Sequence, residues 1–471
     1  MPEPEGDNPF AYSNEIDSRE ASECHSSATA TKAPPPPNNL HQLPSISARP
    51  KPLPTDNPLV CYQKLAYLCG QIPCSPSDPL KAFLSNPSFD VYILAQHDRL
   101  VKQWYFKPVD NHKKVFQRGV MSRLQGSMAT SARWIALIGM SICEAFIIGD
   151  SSQIQVYNLW LKGFERRLGR ELLHDTTSRE IQERRSDWIH VSLLQTLTIH
   201  ASYIYQILQS IAPTFLQVVF SDPHLWPNDY NPTHVPLSSI LCSEAHELAY
   251  FALIDCSCAM ALGVPQQLEY DTTIYPWSSS SSLHQWVHGS PTEFQLVLAD
   301  INACRDKSPN ARDWKDIEHW LLAWQSRSGE HVFTESWMTV AWYAVQESWR
   351  LALLVYLYLA VCNVSSDNPQ IQSYIKQILQ VVGTVKKQES SGEVSFLIQY
   401  LIAGICARNE THRRLVRSAL ANNNETTFWI MRGSDLVPVL DHLWHGAAAY
   451  GSPVKWNDYL HSRTTVLPLS I

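Results

Sequence analysis

Glycine is scarce in this chain, 17 of 471 residues, while tryptophan is plentiful at 16. That balance disfavours turn-rich sheets and favours helices. No Gly-rich loop able to cradle phosphate, no nucleophile elbow and no paired run of metal-binding aspartates occurs, so common marks of nucleotide, acyl-transfer and diphosphate chemistry are missing. A basic excess is missing too. The net charge of −7 argues against clamping nucleic acid through a general cationic surface. No stretch reaches the 18 or more apolar residues of a membrane span, and the acidic start Met1 to Asp7 holds no apolar h-region. Without secretion, the eleven cysteines are expected to be mostly reduced and packed as small apolar residues. The Asn-x-Ser/Thr matches at Asn363, Asn409 and Asn424 are then chance sequons.

What the chain does have is one long hydrophobic stretch at 335–364, ESWMTVAWYAVQESWRLALLVYLYLAVCNV. Its first half carries a polar strip of Gln346, Glu347 and Arg350 among apolar residues at helical spacing, and from Leu351 to Val361 it is apolar all round. A helix apolar on every side must be enclosed by other helices. The stretch therefore reads as the central buried helix of a large helical domain, with Trp342, Trp349, Leu353, Leu357 and Val361 in the core.

Further helices are expected at 61–69, 89–106, 112–124, 134–148, 154–173, 178–211, 237–262, 291–304, 312–324, 369–387, 394–408, 412–421 and 427–444. The 178–211 helix is expected to stop near Pro213, and the serine run 278–282 to be a loop. No strand-length β-branched alternation and no solenoid repeat period appears. The fold class is all-α, one large domain over 58–471. Residues 1–57 form a Pro- and Ser-rich acidic tail, with Phe10, Tyr12 and Ile16 interleaved among Glu5, Asp7, Glu15 and Asp17. Such a segment buries too little apolar surface to offset its ordering entropy and is expected to be disordered.

No residue emerges as catalytic, cofactor-binding or metal-ligating. His246-Glu247 begins like a zinc-protease helix, but position 250 is Tyr where a second His must sit a turn away. Asp255, Cys256 and Cys258 lie in FALIDCSCAMA. Neighbours two apart on a helix point to different sides, so the two cysteines read as buried structural residues and not as a metal pair. Asp313 and Asp316 lack the clustering that magnesium–diphosphate chemistry needs. Arg184-Arg185 and Arg413-Arg414 read as solvated helix faces.

Read as a whole, the chain after Pro58 resembles the fungal-specific transcription factor domain, in the version common in mushroom-forming and related basidiomycete fungi. The resemblance is carried by runs: RRSDWIHVSLLQTL from Arg184, PTFLQVVFSDPHLW from Pro213, ELAYFALIDCSCAMALGVPQQLEYDTT from Glu247, ADINACRDKSPNARDW from Ala299, and the central stretch from Glu335. FLIQYLIAGICARNETHRR from Phe396 and RGSDLVPVLDHLWHGAAAYGSPVKWNDYL from Arg432 extend it. The family resemblance implies a helical regulatory region that usually follows an N-terminal Zn2Cys6 cluster. That cluster needs six cysteines with two CxxC pairs. No CxxC occurs here, Cys24 stands alone, and Cys61, Cys69 and Cys74 have the wrong spacing. The chain thus looks like a regulator whose DNA-reading module was lost, never present, or omitted from the gene model.

The implied function is transcription regulation of RNA polymerase II genes in the nucleus. Its implied partners are transcription machinery or co-regulator proteins, a homo- or heterodimer partner, or a small-molecule effector. The alternatives are a cytosolic helical interaction scaffold and a helical enzyme. No cofactor is expected in this chain; zinc is expected only if a cluster lies upstream in a longer product. By itself the chain is expected to bind neither zinc stoichiometrically nor a specific DNA sequence, since His112, His174, His190, His200 and His246 lack the paired spacing of metal ligands. Residual binding through Arg166, Arg167, Arg170, Arg184 and Arg185 would be non-specific and salt-sensitive.

Overall fold

A helix whose later part, 351–359, is buried on all sides organises the molecule. The structure is a computed structural model that describes residues 87–107, 112–125, 129–148, 152–172, 178–226, 233–274, 283–326, 331–385, 394–421 and 431–470. The expected tail over 1–57, the helix at 61–69, the serine run 278–282 and His174 lie outside the described residues.

The described residues form α1 (Pro87–Gln103), α2 (His112–Leu124), α3 (Ala129–Ile148), α4 (Ile154–Glu171), α5 (Ser178–Thr196) and α6 (Ile204–Ser221). Then come α7 (Leu237–Leu241), α8 (His246–Leu262), α9 (Leu283–His288), α10 (Thr292–Arg305), α11 (Trp314–Ala323) and α12 (Ser336–Ala360). The last are α13 (Pro369–Thr384), α14 (Leu397–Ile405), α15 (Glu410–Ala421), α16 (Gly433–His445) and α17 (Trp456–Val466). The all-α class is what the structure shows. Two residues on each side, β1 (Val235–Pro236) and β2 (Tyr270–Asp271), pair in parallel, too short to register as a sequence pattern.

The central helix α12 packs against α10, α11, α13 and α14. Trp342, Trp349, Leu353 and Leu357 are all but inaccessible, as the all-round apolar stretch requires. Val361 departs from the expectation: it is the C-cap and is half-buried against the core, because the chain leaves the helix there. Gln346, expected on the polar strip, is buried and accepts a hydrogen bond from Ser326 Oγ at 2.7 Å. Behind α12, a buried polar spine ties three helices together. Asn302 Nδ2 on α10 donates to Cys256 O of α8 at 2.9 Å, and Tyr356 Oη on α12 donates to Asn302 Oδ1 at 2.7 Å. Arg305 donates to Tyr356 Oη at 2.8 Å and to the carbonyl of Ala259 at 2.7 Å.

Two expected helices are each divided. The 178–211 helix is α5 and the start of α6, separated by a turn at 197–200. The Thr196 and Thr198 hydroxyls donate to the carbonyls of Leu193 and Gln195, competing with helix continuation. His200 then caps a one-turn helix, its side chain accepting from Ser202 N. Pro213 does not stop α6, which runs through it. It sits on the exposed side, where the carbonyl left without an N–H partner faces water. The 237–262 helix is likewise α7 and α8, parted at 242–245. The C-terminus of α8 is set by Gly263 at φ +63°, where a Cβ would strike the Leu460 side chain. The short α9 and the terminal α17 lie outside the expected set, and the expected 427–444 helix is described from Gly433.

Candidate functional site

Polar groups converge inside the molecule where α2, α5, α8 and α9 meet. Arg123, at the end of α2, donates to Glu247 Oε2 of α8 at 3.0 Å and to Asp187 Oδ1 of α5 at 3.4 Å. Both carboxylates are nearly inaccessible, 5% and 6% exposed at the side chain, whereas Arg123 keeps 35%. The shared guanidinium is what makes two buried acids tolerable. Burial alone would raise Glu247, but Arg123 offsets this and holds its carboxyl below the ordinary value. Asp187, more distant from the cation, is pushed by burial up to about 7.

Imidazoles line the same region. His246 Nδ1 and His284 Nε2 are 3.4 Å apart, and His284 lies nearly parallel to His288 with ring centroids 5.9 Å apart. Tyr250 stacks over His288 at 5.6 Å. Burial lowers His190 and His246 to about 4 and His284 to about 3. These rings are therefore neutral at physiological pH, beside a charged Arg123 that further disfavours protonating His190 and His246. Sequence reading set His190 and His246 apart as residues of separate helices; the packing brings them into one electrostatic neighbourhood with His284. His200 lies elsewhere, 3.7 Å from Asp435. Among the described residues, no group of three His, Cys, Asp or Glu is arranged to hold a metal ion.

The other candidates settle into structural roles. Cys256 and Cys258 are buried, and burial raises both thiols. Asp255, just before them, accepts from Gln267 N and Tyr270 Oη, both at 2.9 Å, fixing the loop after α8. Asp313 caps α11 by accepting from Lys315 N at 2.9 Å. Arg413 corrects the expectation of a solvated face. It is 8% exposed, lies against the Trp444 ring and donates to the carbonyls of Ala407 at 3.1 Å and Ala448 at 2.6 Å. Its neighbour Arg414 is exposed and pairs with Glu410 at 3.2 Å. Arg167 pairs with Glu171 at 2.6 Å, and Arg184 donates to the Glu171 carbonyl at 2.7 Å. Both are thereby partly committed, which weakens the basic set named for non-specific DNA contact.

At the surface, Arg312, Asp316, His319, Trp320, Ala323 and Trp324 line an open hollow of about 360 Å³ along α11. Trp324 and Trp320 back onto buried Phe294, at 4.8 and 6.0 Å between centroids. Arg312 is held 3.4 Å from Asp300. A volume of this size is in the range of small-molecule sites, and its two indoles offer flat apolar surface to a ligand. The signal in the sequence is the turn-spaced series Arg312, Asp316, His319, Trp320, Ala323 and Trp324, legible only once the helix's outer side is known.

No helix among the described residues is long and apolar enough to cross a membrane. Residues 237–467 match the family model of the fungal specific transcription factor domain, so the match begins at α7 and ends just past α17. No curated protein and no solved structure matches the chain.

Proposed function

From the premise that residues 237–467 are a fungal specific transcription factor domain, we propose that this chain regulates RNA polymerase II genes in the nucleus. Its helical domain, running from about residue 58 to the C-terminus, acts by binding a co-regulator protein, a dimer partner or a small effector, and not by catalysis. Sequence-specific DNA contact is supplied by another module, since no CxxC framework is present in this sequence. The observation that carries the reading is the family match itself, which runs from α7 to α17 and takes in most of the buried residues of the main core. The hollow on α11 lies inside the matched residues and supports the effector arm of the proposal.

The test is a tethering experiment in a fungal cell. The full chain is fused to an unrelated DNA-binding domain over a reporter and is tagged to follow its location. Nuclear accumulation with a several-fold change in reporter output is the expected result. Exclusion from the nucleus together with an unchanged reporter would sink the proposal in favour of a cytosolic scaffold.

A further inference from the structure

Ser-Pro pairs fall at Ser290, Ser308 and Ser452 among the described residues. The proline matters to an enzyme that modifies the hydroxyl. It biases the serine toward extended backbone, and it brings no N–H that a cleft would have to satisfy. Ser290 is 3% exposed and accepts from Gln295 Nε2, with the acidic Glu293 three residues on. Ser308 donates to Glu269 Oε1 at 3.0 Å, and its chain folds at once into a turn closed by Ala311 N on Ser308 O at 3.0 Å. Ser452, between α16 and α17, differs on each count. It is exposed, and its backbone is extended at φ −57° and ψ 144°. Pro453 and Lys455 after it are exposed as well. Val454 between them is buried and clamped by Ser366: Ser366 N donates to Val454 O at 2.8 Å, and Val454 N donates to Ser366 Oγ at 2.9 Å. The clamp fixes the backbone, so the extended Ser-Pro-Val-Lys stretch is displayed with its ordering entropy already met.

We propose that Ser452 is a phosphorylation site, the acceptor for a serine kinase that reads proline at the next position and a cation at the third. In the transfer, Ser452 Oγ bonds the γ-phosphorus of ATP as the bond from that phosphorus to its bridging oxygen breaks. The hydroxyl proton passes to the aspartate of the kinase catalytic loop, and ADP leaves. Pro453 fits a pocket that offers no acceptor for an N–H, and the Lys455 ammonium meets an acidic subsite of the kinase. Ser290 and Ser308 lack both the accessible extended backbone and the cation at the third position, where Glu293 and Ala311 stand.

The same turn holds the group that receives the phosphate. Arg408, exposed between α14 and α15, donates from Nε to Gly451 O at 2.9 Å and makes no other hydrogen bond among the described residues. Gly451, at φ +76°, lies so close that a Cβ there would sit 2.6 Å from Arg408 O. In a trans peptide the Gly451 oxygen is about 2.8 Å from Ser452 Cα, which puts the Arg408 Nε no more than about 6 Å from that atom. A phosphoryl group on Oγ extends about 4 Å from the same Cα, so its oxygens come within reach of the two Arg408 Nη groups. Esterification also removes the proton that Ser452 Oγ donates to Ala449 O at 2.8 Å, which turns the side chain away from that carbonyl. The new pair ties the start of α17 to the segment before α15, both within the matched residues. This inference goes beyond the regulatory reading, because the acceptor chemistry is independent of what the chain regulates.

The test is to incubate the purified full chain with magnesium ATP and a cyclin-dependent kinase, and to map the product by peptide mass. Phosphate at Ser452 is expected, with Ser290 and Ser308 unmodified in the folded chain. Pro453→Ala should lower the initial rate at Ser452 about tenfold or more, and Lys455→Ala several-fold, each with unchanged helical circular dichroism. Phosphorus NMR then reads the pairing. The second pKa of the phosphate, about 6 in an unconstrained phosphoserine, should lie below that value and return to it in Arg408→Ala. No phosphate at Ser452, or phosphate that appears there only once the chain is unfolded, overturns the proposal. A rate at Ser452 indifferent to both Pro453→Ala and Lys455→Ala overturns it too, because the kinase then does not read this stretch. A phosphate pKa that Arg408→Ala leaves unchanged overturns Arg408 as the receiving group.

Discussion

Trp349 gives the sharpest check on how the core is held. Its side chain is fully buried in the second half of α12, and its indole N–H donates to the carbonyl of Gly289 at 2.9 Å. Gly289 closes α9 at φ +56°, with Val394 so near that a Cβ would lie 2.9 Å from it. Trp349 thus does two jobs, filling the core and pinning the segment after α9 to the central helix. Burying an indole removes about 200 Å² from water, worth about 5 kcal/mol, of which alanine retains only a minor part. The transfer loss and residual cavity together give about 3–5 kcal/mol for Trp349→Ala. The orphaned Gly289 carbonyl adds about 1 kcal/mol. Trp349→Phe keeps most of the volume and loses the hydrogen bond, so it is expected to cost about 1.5–3 kcal/mol. Urea unfolding followed by far-ultraviolet circular dichroism measures both. Two outcomes refute the reasoning: a Trp349→Ala cost under about 1 kcal/mol, or equal costs for Phe and Ala.

The other expectations rest on the polar interior. Arg123→Met strands Glu247 and Asp187, and a cost of about 2–3 kcal/mol is expected, discounted because a third of the arginine side chain is still solvated. Adding Glu247→Gln should recover much of that loss, and a simply additive double variant would show that the ion cluster is not coupled. Tyr356→Phe removes the hydroxyl between Arg305 and Asn302 and should cost about 1–3 kcal/mol, read from the same urea curves. Gly404→Ala places a methyl 2.7 Å from Leu440 Cδ1 and 3.0 Å from Val416 Cγ1, so thermal melting should report about 1–3 kcal/mol of overpacking. The pH dependence has opposing parts. Folded His190, His246 and His284 resist protonation, so the unfolded chain binds more protons below 6.5 and stability falls as pH drops from 6.5 to about 4. Asp187 holds its proton in the folded state between 3.8 and about 7, and its contribution declines as pH rises through that window. Asp187→Asn should therefore steepen the acid loss of the urea midpoint between 6.5 and 4; a profile parallel to the wild type counts against the assignment.

The central helix was legible because its signal is local. Apolar residues on all sides from Leu351 to Val361 leave no face for water, whatever the neighbours are. The run FALIDCSCAMA was legible for a related reason, since apolar residues on nearly every side encode a helix that can only be buried. Buried Cys256 and Cys258 follow from the same pattern. Other features depended on what the helices meet. Arg413 belongs to a pair that reads as solvated, and only the packing of α15 against α16 folds it beneath Trp444 and onto backbone carbonyls. Arg123, Asp187 and Glu247 are separated by 64 and 124 positions from one another's partners along the chain, and no periodicity links residues so distant. Pro213 was read as a stop because its missing N–H breaks a helical hydrogen bond, yet α6 tolerates it where the freed carbonyl meets water. The sequence by itself determined where most of the described longer helices run and which helix must be enclosed, because those depend on residues three and four apart. Tertiary structure decided which charges are buried and which histidines meet, because those depend on which faces pack together.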